Sequence, residues 1–480
     1  MAFQISPGVN TSEIDLTTVV PGVSSIDAGF AGAFRWGPIN DVTLIDSEDL
    51  LVQTFQKPDA NTFASFFTAA NILNYTNSLH VVRAANTSGA KNSYSTSGTA
   101  AVLIANSSVY YNTYDEGQAG VITSAGPFAA KFAGALGNSL RVSLCGPTRA
   151  NLASGNTVVA SNSDVALTGT MAVHATTGAV TGTNTLFGTE LRVGDVIQTN
   201  NGNTFVISAI TSNTAMTVNR DPVTGAISGA TAVRFKRSAF SEPSKNMLGT
   251  VAVAANSTAV TATTAAARNA ATTAFNLQYK VGDIIKINGE ERKVVTVTNS
   301  SHMVVNTGFT NTATAQTHSR TWEYAGLFDK EPVTTEYSAG RGARFDEVHV
   351  VVVDEDGEWT GTQNEGLEIF PGLSVAKGAK NEDGSKAYYV DALNRRSKYI
   401  YWMDHDSTGD AYTTGGAAVS AWGTVPTSGV EFQSNGTIVS ESLIGGVDGT
   451  DVSDGDKITG FNKFLNTEEI DIGLLAAGEA

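Results

Sequence analysis

FDEVHVVVVDEDGEWTGTQNEGLEIFPGLSVAKGAKNEDGSKAYYVDALNRRSKYIY, residues 345–401, is the stretch on which the fold turns. Val348 to Val353 is an apolar, β-branched run, the pattern of a buried strand. Asp354, Glu355, Asp356 and Gly357 end it in a turn. Glu358-Trp359-Thr360 reads as a short return strand. A second polar loop, Ala379 to Ser385, leads to Ala387-Tyr388-Tyr389-Val390, read as a strand, and Ser397 to Tyr401 reads as another. The stretch carries no nucleophile and no phosphate loop. Outward from it, the chain reads as a scaffold.

The chain has 480 residues, 41% of them hydrophobic and 16% charged, with 48 glycines. That is enough for several domains and too apolar for a charge-rich disordered chain. A formal net charge of −16 argues against direct nucleic-acid binding, because the chain and a phosphate backbone repel. One cysteine, Cys145, excludes an intrachain disulfide framework and a cysteine-based zinc site. Its neighbours Val142 and Leu144 predict a buried strand thiol. The N-terminus has no secretory signal pattern, and no apolar run reaches membrane-spanning length. The expectation is a protein folded in a cytosol, with no membrane insertion.

Residues 1–20 read as an extended arm. Ile5, Val9, Ile14, Leu16 and Val19 are spaced apolar positions between Pro7-Gly8 and Pro21-Gly22. Residues alone favour an edge strand of the chain's own domain over strand addition to another chain. Residues 21–145 read as the first half of an αβ core. Its strands fall near Ile26–Phe34, Val42–Ile45, Leu79–Arg83 and up to Cys145, with a helix from Glu48 to Phe55. A second helix, Asn61 to Asn74, puts Phe63, Phe66, Phe67, Ala70 and Leu73 on a face expected to be core. Residues 146–344 form a Thr-, Ala- and Ser-rich insertion with an internal repeat. Phe187–Ile197 resembles Phe275–Ile285, each holding a Val-Gly-Asp step, so two small β-barrel or β-sandwich copies are expected near 168–236 and 250–323. The bland reading, taken here, is duplicated decoration; a carbohydrate site lacks an aromatic platform. Residues 345–465 return to core composition. The core partners expected for residues 345–401 are Ala31–Trp36, Leu79–Arg83 and Leu140–Cys145. Ser407 to about Gly429 reads as loop, Asp451–Asp456 as an acidic turn, Ile458–Leu465 as a helix, and Ile470–Leu475 as a buried strand opening a truncated C-terminal domain over 466–480. The fold class is α+β.

Chemistry is sparse. No histidine pair has metal-ligand spacing, and neither Asp404, Asp406 and Asp410 nor Asp448, Asp451, Asp454 and Asp456 match a calcium loop. Gly378 to Lys386 imitates a phosphate loop with the wrong spacing and order, ahead of what reads as a strand. No catalytic residue, cofactor or metal site is assigned, and the chain is not expected to be an enzyme.

In order along the chain, several short motifs resemble the contractile tail sheath proteins of myovirus-type bacteriophages. They are Ser6-Pro7-Gly8-Val9 with Glu13, Ala31-Gly32 through Trp36-Gly37-Pro38, the turn from Phe55 to Pro58, the helix Phe63–Asn74 and Leu79–Arg83. Next come Ala130-Lys131-Phe132 with Gly134 and Gly137-Asn138-Ser139-Leu140, then Asp346-Glu347 with Val351–Asp354. Leu367-Glu368 with Phe370, Leu373-Ser374, Ser397 with Tyr399-Ile400, Gly445-Gly446 and Ile470–Leu475 complete the series. The resemblance spans the first 145 and last 136 residues and leaves the repeats as a variable insertion. It implies a mixed αβ sheath core, with a C-terminal domain that stops after its first strand. It also implies a virion protein, assembled in the host cytoplasm as a helical stack of hexameric rings around an inner tail tube protein. Baseplate and tail terminator proteins are further implied partners. Contraction drives the tube through the host envelope for genome ejection. In this setting the arm residues Ile5, Val9, Ile14, Leu16 and Val19 exchange between subunits. The alternatives are the sheath of a non-phage contractile injection system and a secreted polysaccharide-binding β protein.

Overall fold

The structure is a computed structural model. It describes residues 27–478 apart from 119–122, 148–164, 192–194, 220–224, 236–237, 245–246, 248, 264–274, 406–408, 414–417, 435–437, 450 and 469. Outside the insertion the strands of the two main sheets are β1 (Ala28–Gly32), β2 (Val42–Ile45), β3 (Leu79–Arg83), β4 (Tyr94–Ser95), β5 (Phe128–Ala130), β6 (Leu140–Cys145), β7 (Glu347–Asp354), β8 (Glu365–Ser374), β9 (Ile400–Trp402), β10 (Ile438–Ile444) and β11 (Leu474–Ala476). The longer helices are α1 (Glu48–Phe55), α2 (Phe63–Leu73), α3 (Tyr389–Arg396) and α4 (Asp454–Phe461).

A four-stranded sheet, ordered β2-β3-β1-β11, joins the two ends of the described chain. β1 runs parallel to β3 and to β11, and β2 is antiparallel to β3. Ser47 caps α1 by accepting from the Leu50 N–H, and Glu48 and Asp49 favour its positive end. Alternate strand residues face opposite ways. Phe30, Ile45, Leu79 and Val81 therefore meet Leu51 and Phe55 of α1 and Phe66, Ala69 and Ala70 of α2. Ala31 and Val82, on the other face, meet Phe461 and Phe464. The unit is a helix–sheet–helix sandwich.

The second sheet has seven strands, ordered β8-β7-β6-β10-β4-β5-β9. β7 pairs antiparallel with β6 (Val350 with Leu144, Val352 with Val142), so strands from either side of the insertion lie side by side. Every residue of β7 is buried. One face, with Val142, Leu144, Val348, Val350 and Val352, is covered by Tyr389, Val390 and Leu393 of α3 and by Trp402. The other face, with Cys145, Val351, Val353 and Ile438, is covered by Trp322, Tyr324 and Ala325 from the end of the insertion. Two covered faces explain why β7 is continuously apolar instead of alternating.

The insertion holds two eight-stranded sheets, each with its own core. The first runs Ile227–Ala230, Thr170–Val173, Ala179–Thr183, Ala215–Asn219, Thr204–Ser212, Val196–Thr199, Ala232–Arg234, Val165–Ala166. The second runs Ala313–Gln316, Thr250–Val253, Ala259–Thr263, His302–Val305, Glu290–Val297, Ile284–Ile287, His318–Thr321, Ser241–Glu242. Taken in chain order, the two strand orders are the same. The repeat read from the Val-Gly-Asp steps thus extends to whole-sheet topology.

Several expectations are corrected. Glu358–Thr360 is a turn, and the return strand is β8; the Asp354 carboxylate holds the intervening N–H groups away from a ladder. Ala387–Val390 is not a strand, since α3 begins at Tyr389 and packs Tyr389, Val390 and Leu393 inward. β1 and β3 lie in the four-stranded sheet, so only Leu140–Cys145 pairs with β7 among the three partners expected. Phe63 and Phe67 are exposed, because small Ala69 and Ala70 centre the buried arc of α2 on Phe66. The segment read as a loop after Ser407 contains Gly409–Thr413 and Ala418–Ala421, which form a three-stranded sheet with Val430–Ser434. α4 starts at Asp454, where Ser453 and Asp456 make a capping box, so the acidic turn is in part a helix start. β11 lies at a sheet edge with Leu474 and Leu475 half-exposed, not buried.

Candidate functional site

Five of the motifs singled out in the sequence meet at one place, between the four-stranded sandwich and the seven-stranded sheet. Arg83 ends β3 with its side chain buried. Its guanidinium donates to the Gly37 carbonyl at 2.9 Å and to the Asp448 carbonyl at 3.4 Å. Burial lowers its pKa from the ordinary arginine value to about 10, against the pull of Asp448, and leaves it charged at neutral pH. The Asp448 carboxylate accepts from the Ala135 N–H at 2.7 Å. Asn138 grips the Gly445-Gly446 step, accepting from the Gly446 N–H at 2.7 Å and donating to the Gly446 carbonyl at 3.1 Å. A Cβ on Gly446 would lie 2.1 Å from Ser93 Oγ and 2.3 Å from the Gly134 carbonyl, so only glycine fits.

Ser139 carries the network into residues 345–401. Its hydroxyl donates to Asp354 at 2.7 Å. That carboxylate also accepts from the N–H groups of Gly357, Trp359 and Thr360 and from the Thr360 hydroxyl, at 2.8–3.0 Å. Burial pulls the Asp354 pKa upward, but the bonds from Ser139, Thr360 and Trp359 outweigh it and hold it below 3.8. The turn so formed sets Trp359 edge-on against Trp36, centroids 4.9 Å apart, and Glu358 against Arg35 at 2.8 Å.

A second polar junction fastens the second repeat to the seven-stranded sheet. Arg141 of β6 donates to the Tyr324 hydroxyl at 2.8 Å and to Asn364 Oδ1 at 2.9 Å, and pairs with Glu323 and Glu355, each at 3.5 Å. Trp322 Nε1 donates to Ser143 Oγ at 2.9 Å. Lys293 also pairs with Glu323. Gly282, at φ +99°, passes where a Cβ would meet the Glu323 carboxylate at 2.4 Å. Deeper in this repeat Asp283 lies 3.8 Å from Arg320, both buried, and burial raises the Asp283 pKa to about 6 against the opposing pull of Arg320.

These contacts position elements and leave no open chemistry. Among the described residues no group of three or more His, Cys, Asp or Glu side chains could hold a metal ion. Burial pushes the Cys145 thiol well above its ordinary pKa, away from a reactive thiolate. No described helix is long and apolar enough to cross a membrane. The arm positions Ile5, Val9, Ile14, Leu16 and Val19 lie outside the described residues, as does Asp406. The sequence reading missed the roles of Arg83, Asn138 and Asp354. A charged residue closing an apolar strand and a Gly-Gly step beside no turn were the available signals.

No protein-family model matches the chain. It is 39% identical over 88 residues to a tail sheath protein of Vibrio phage KVP40, covering 18% of this chain and 13% of that one. It is 40% identical over 89 residues to the tail sheath protein of Enterobacteria phage T4, covering 18% and 14%. A tail sheath protein of Salmonella phage ViI matches at 29% over 145 residues, covering 30% and 22%. The chain thus spans less than a quarter of the length of these curated relatives. Among solved structures, a sheath tail protein from Listeria innocua aligns at 15% identity over 43% of this chain and 33% of that one, with a TM-score of 0.16 that carries no weight. Over the matched segments the chain is homologous to phage tail sheath proteins.

Proposed function

We propose that this chain is a structural, non-enzymatic subunit of a bacteriophage tail sheath. The observation that carries the reading is that relatives from three different phages all bear the name tail sheath protein. In this reading copies polymerise as stacked hexameric rings around an inner tail tube protein, in contact with baseplate and terminator proteins. They are built in the host cytoplasm and end in the virion tail. Release of the extended sheath shortens it and drives the tube through the host envelope. The energy is held in a kinetically trapped assembly, so no cofactor is needed. Residues 21–145 and 345–465 act as the core, 146–344 as an insertion carrying the two repeats, and 466–480 adds β11 to the four-stranded sheet beside β1. The arm of residues 1–20 exchanges strands with a neighbour through Ile5, Val9, Ile14, Leu16 and Val19, keeping copies linked while they rotate. Buried junctions at Arg83 and Arg141 suit subunits that move as rigid bodies. Negative-stain microscopy of the purified chain tests the reading. Tubes or stacked rings are expected; monodisperse monomers with affinity for glycans overturn it.

A further inference from the structure

The four-stranded sandwich carries exposed apolar patches on its two opposite helical layers. On one layer α2 presents Phe63 and Phe67, 56% and 53% exposed and one turn apart, with Tyr75 beyond them at 82%. On the other, Ile458 of α4 is 59% exposed and Leu465, seven residues on, 74%. The layers are separate because Phe30 and Val81 of β1 and β3 face α2, whereas Ala31 and Val82 face α4.

Charge distinguishes the two patches. Asn61 to Asn77 contains no Asp, Glu, Lys or Arg, in a chain of net charge −16. Between Asp451 and Asp471 stand six carboxylates and two lysines. Two α4 layers therefore repel each other, and a neutral surface is what can cover this patch without that cost. The aromatic layer of α2 is such a surface. We infer that the α2 layer of one copy receives the α4 layer of a second copy, a head-to-tail contact between unlike faces. Unlike faces on opposite sides of one unit do not close into a dimer and so propagate. Phe63, Phe67 and Tyr75 offer on the order of 400 Å², well below the ~800 Å² per partner of a stable pair. The contact is therefore one of several repeated in a polymer, and it rests on the sheath reading in needing such a polymer.

Variants of the 480-residue chain with added surface cysteines test it, since native Cys145 is buried and does not interfere. Phe67→Cys and Ile458→Cys are made separately and together, and oxidised at high protein concentration. A ladder of covalent multimers from the double variant, with neither single variant joining to itself, is the expected result. Cross-linking of Phe67→Cys alone means that α2 meets α2 in a closed dimer, and overturns the head-to-tail contact. No ladder from the double variant also overturns it. Microscopy of the unaltered chain separates this from the parent reading. Tubes without a ladder leave the sheath subunit standing and remove only this contact, a ladder without tubes keeps the contact alone, and neither removes both.

Discussion

Two buried carboxylates respond to pH in opposite directions. Asp354 has a folded pKa held below its ordinary 3.8, so its contribution is fully present above that value and is lost as pH falls through the folded pKa. Asp283 has a folded pKa raised to about 6, so its contribution is present below 3.8 and is lost as pH rises through about 6. Thermal melts from pH 3 to 8 should show Asp354→Asn flattening the acid limb and Asp283→Asn flattening the slope near pH 6. Unchanged slopes in either variant refute that assignment. At neutral pH Asp354→Asn turns an acceptor toward backbone donors as an amide and should cost about 1–3 kcal/mol. Ser139→Ala, which removes one donor, should cost less, about 1 kcal/mol. The sequence marked Asp354 as a turn residue from its Gly357 neighbour. It could not show that Ser139, more than two hundred positions earlier, supplies a donor, because that contact exists only after β6 and β7 pair.

Strands were easier to read than their partners. Val42–Ile45 and Leu79–Arg83 fall where the β-branched pattern puts them, as does the helix Glu48–Phe55 with its Ser47 cap. β8 and α3 were misread because local propensity was overruled, in one case by a carboxylate collecting N–H groups and in the other by an aromatic face seeking a core. The two Val-Gly-Asp steps reveal the repeat, but nothing in their local spacing pairs Arg234 with Arg320. Register shows their equivalence: Arg234 stands opposite Ile197 and Arg320 opposite Ile285, the second residue after each repeat aspartate. Just beyond those arginines the copies diverge, and only the second supplies Trp322. Trp322→Ala should cost about 3–5 kcal/mol and bring protease cuts into the seven-stranded body as well as the repeat. Cuts confined to the repeat would show that the junction is dispensable. By the same logic, removing residues 165–235 should leave the body folded, whereas a deletion reaching 323 bares Val351 and Val353. Dye binding to exposed apolar surface should separate the two deletions; equal signals refute the difference.

For the whole molecule, nothing in the strand residues shows that the core is split between a four-stranded and a seven-stranded sheet, since β1, β3 and β7 are alike as apolar runs. What separates them is partner choice: β1 takes β11 from the far end of the chain, and β7 takes β6 from before the insertion. The arm prediction belongs at this scale. Deleting residues 1–20 should leave a folded monomer with an unchanged melting profile that no longer forms tubes, and tubes from the deleted chain would sink strand exchange. The β6–β7 pairing also sets a timetable for synthesis. About 200 residues separate these strands, and a ribosome adding ~5–20 residues per second needs roughly 10–40 s to cross them. Through that interval β6 waits without its neighbour, while both repeats, whose pairings are local, can finish on their own. The central sheet of the body can thus close only after both repeats have been made, and its exposed half-made edge is the species a chaperone would meet.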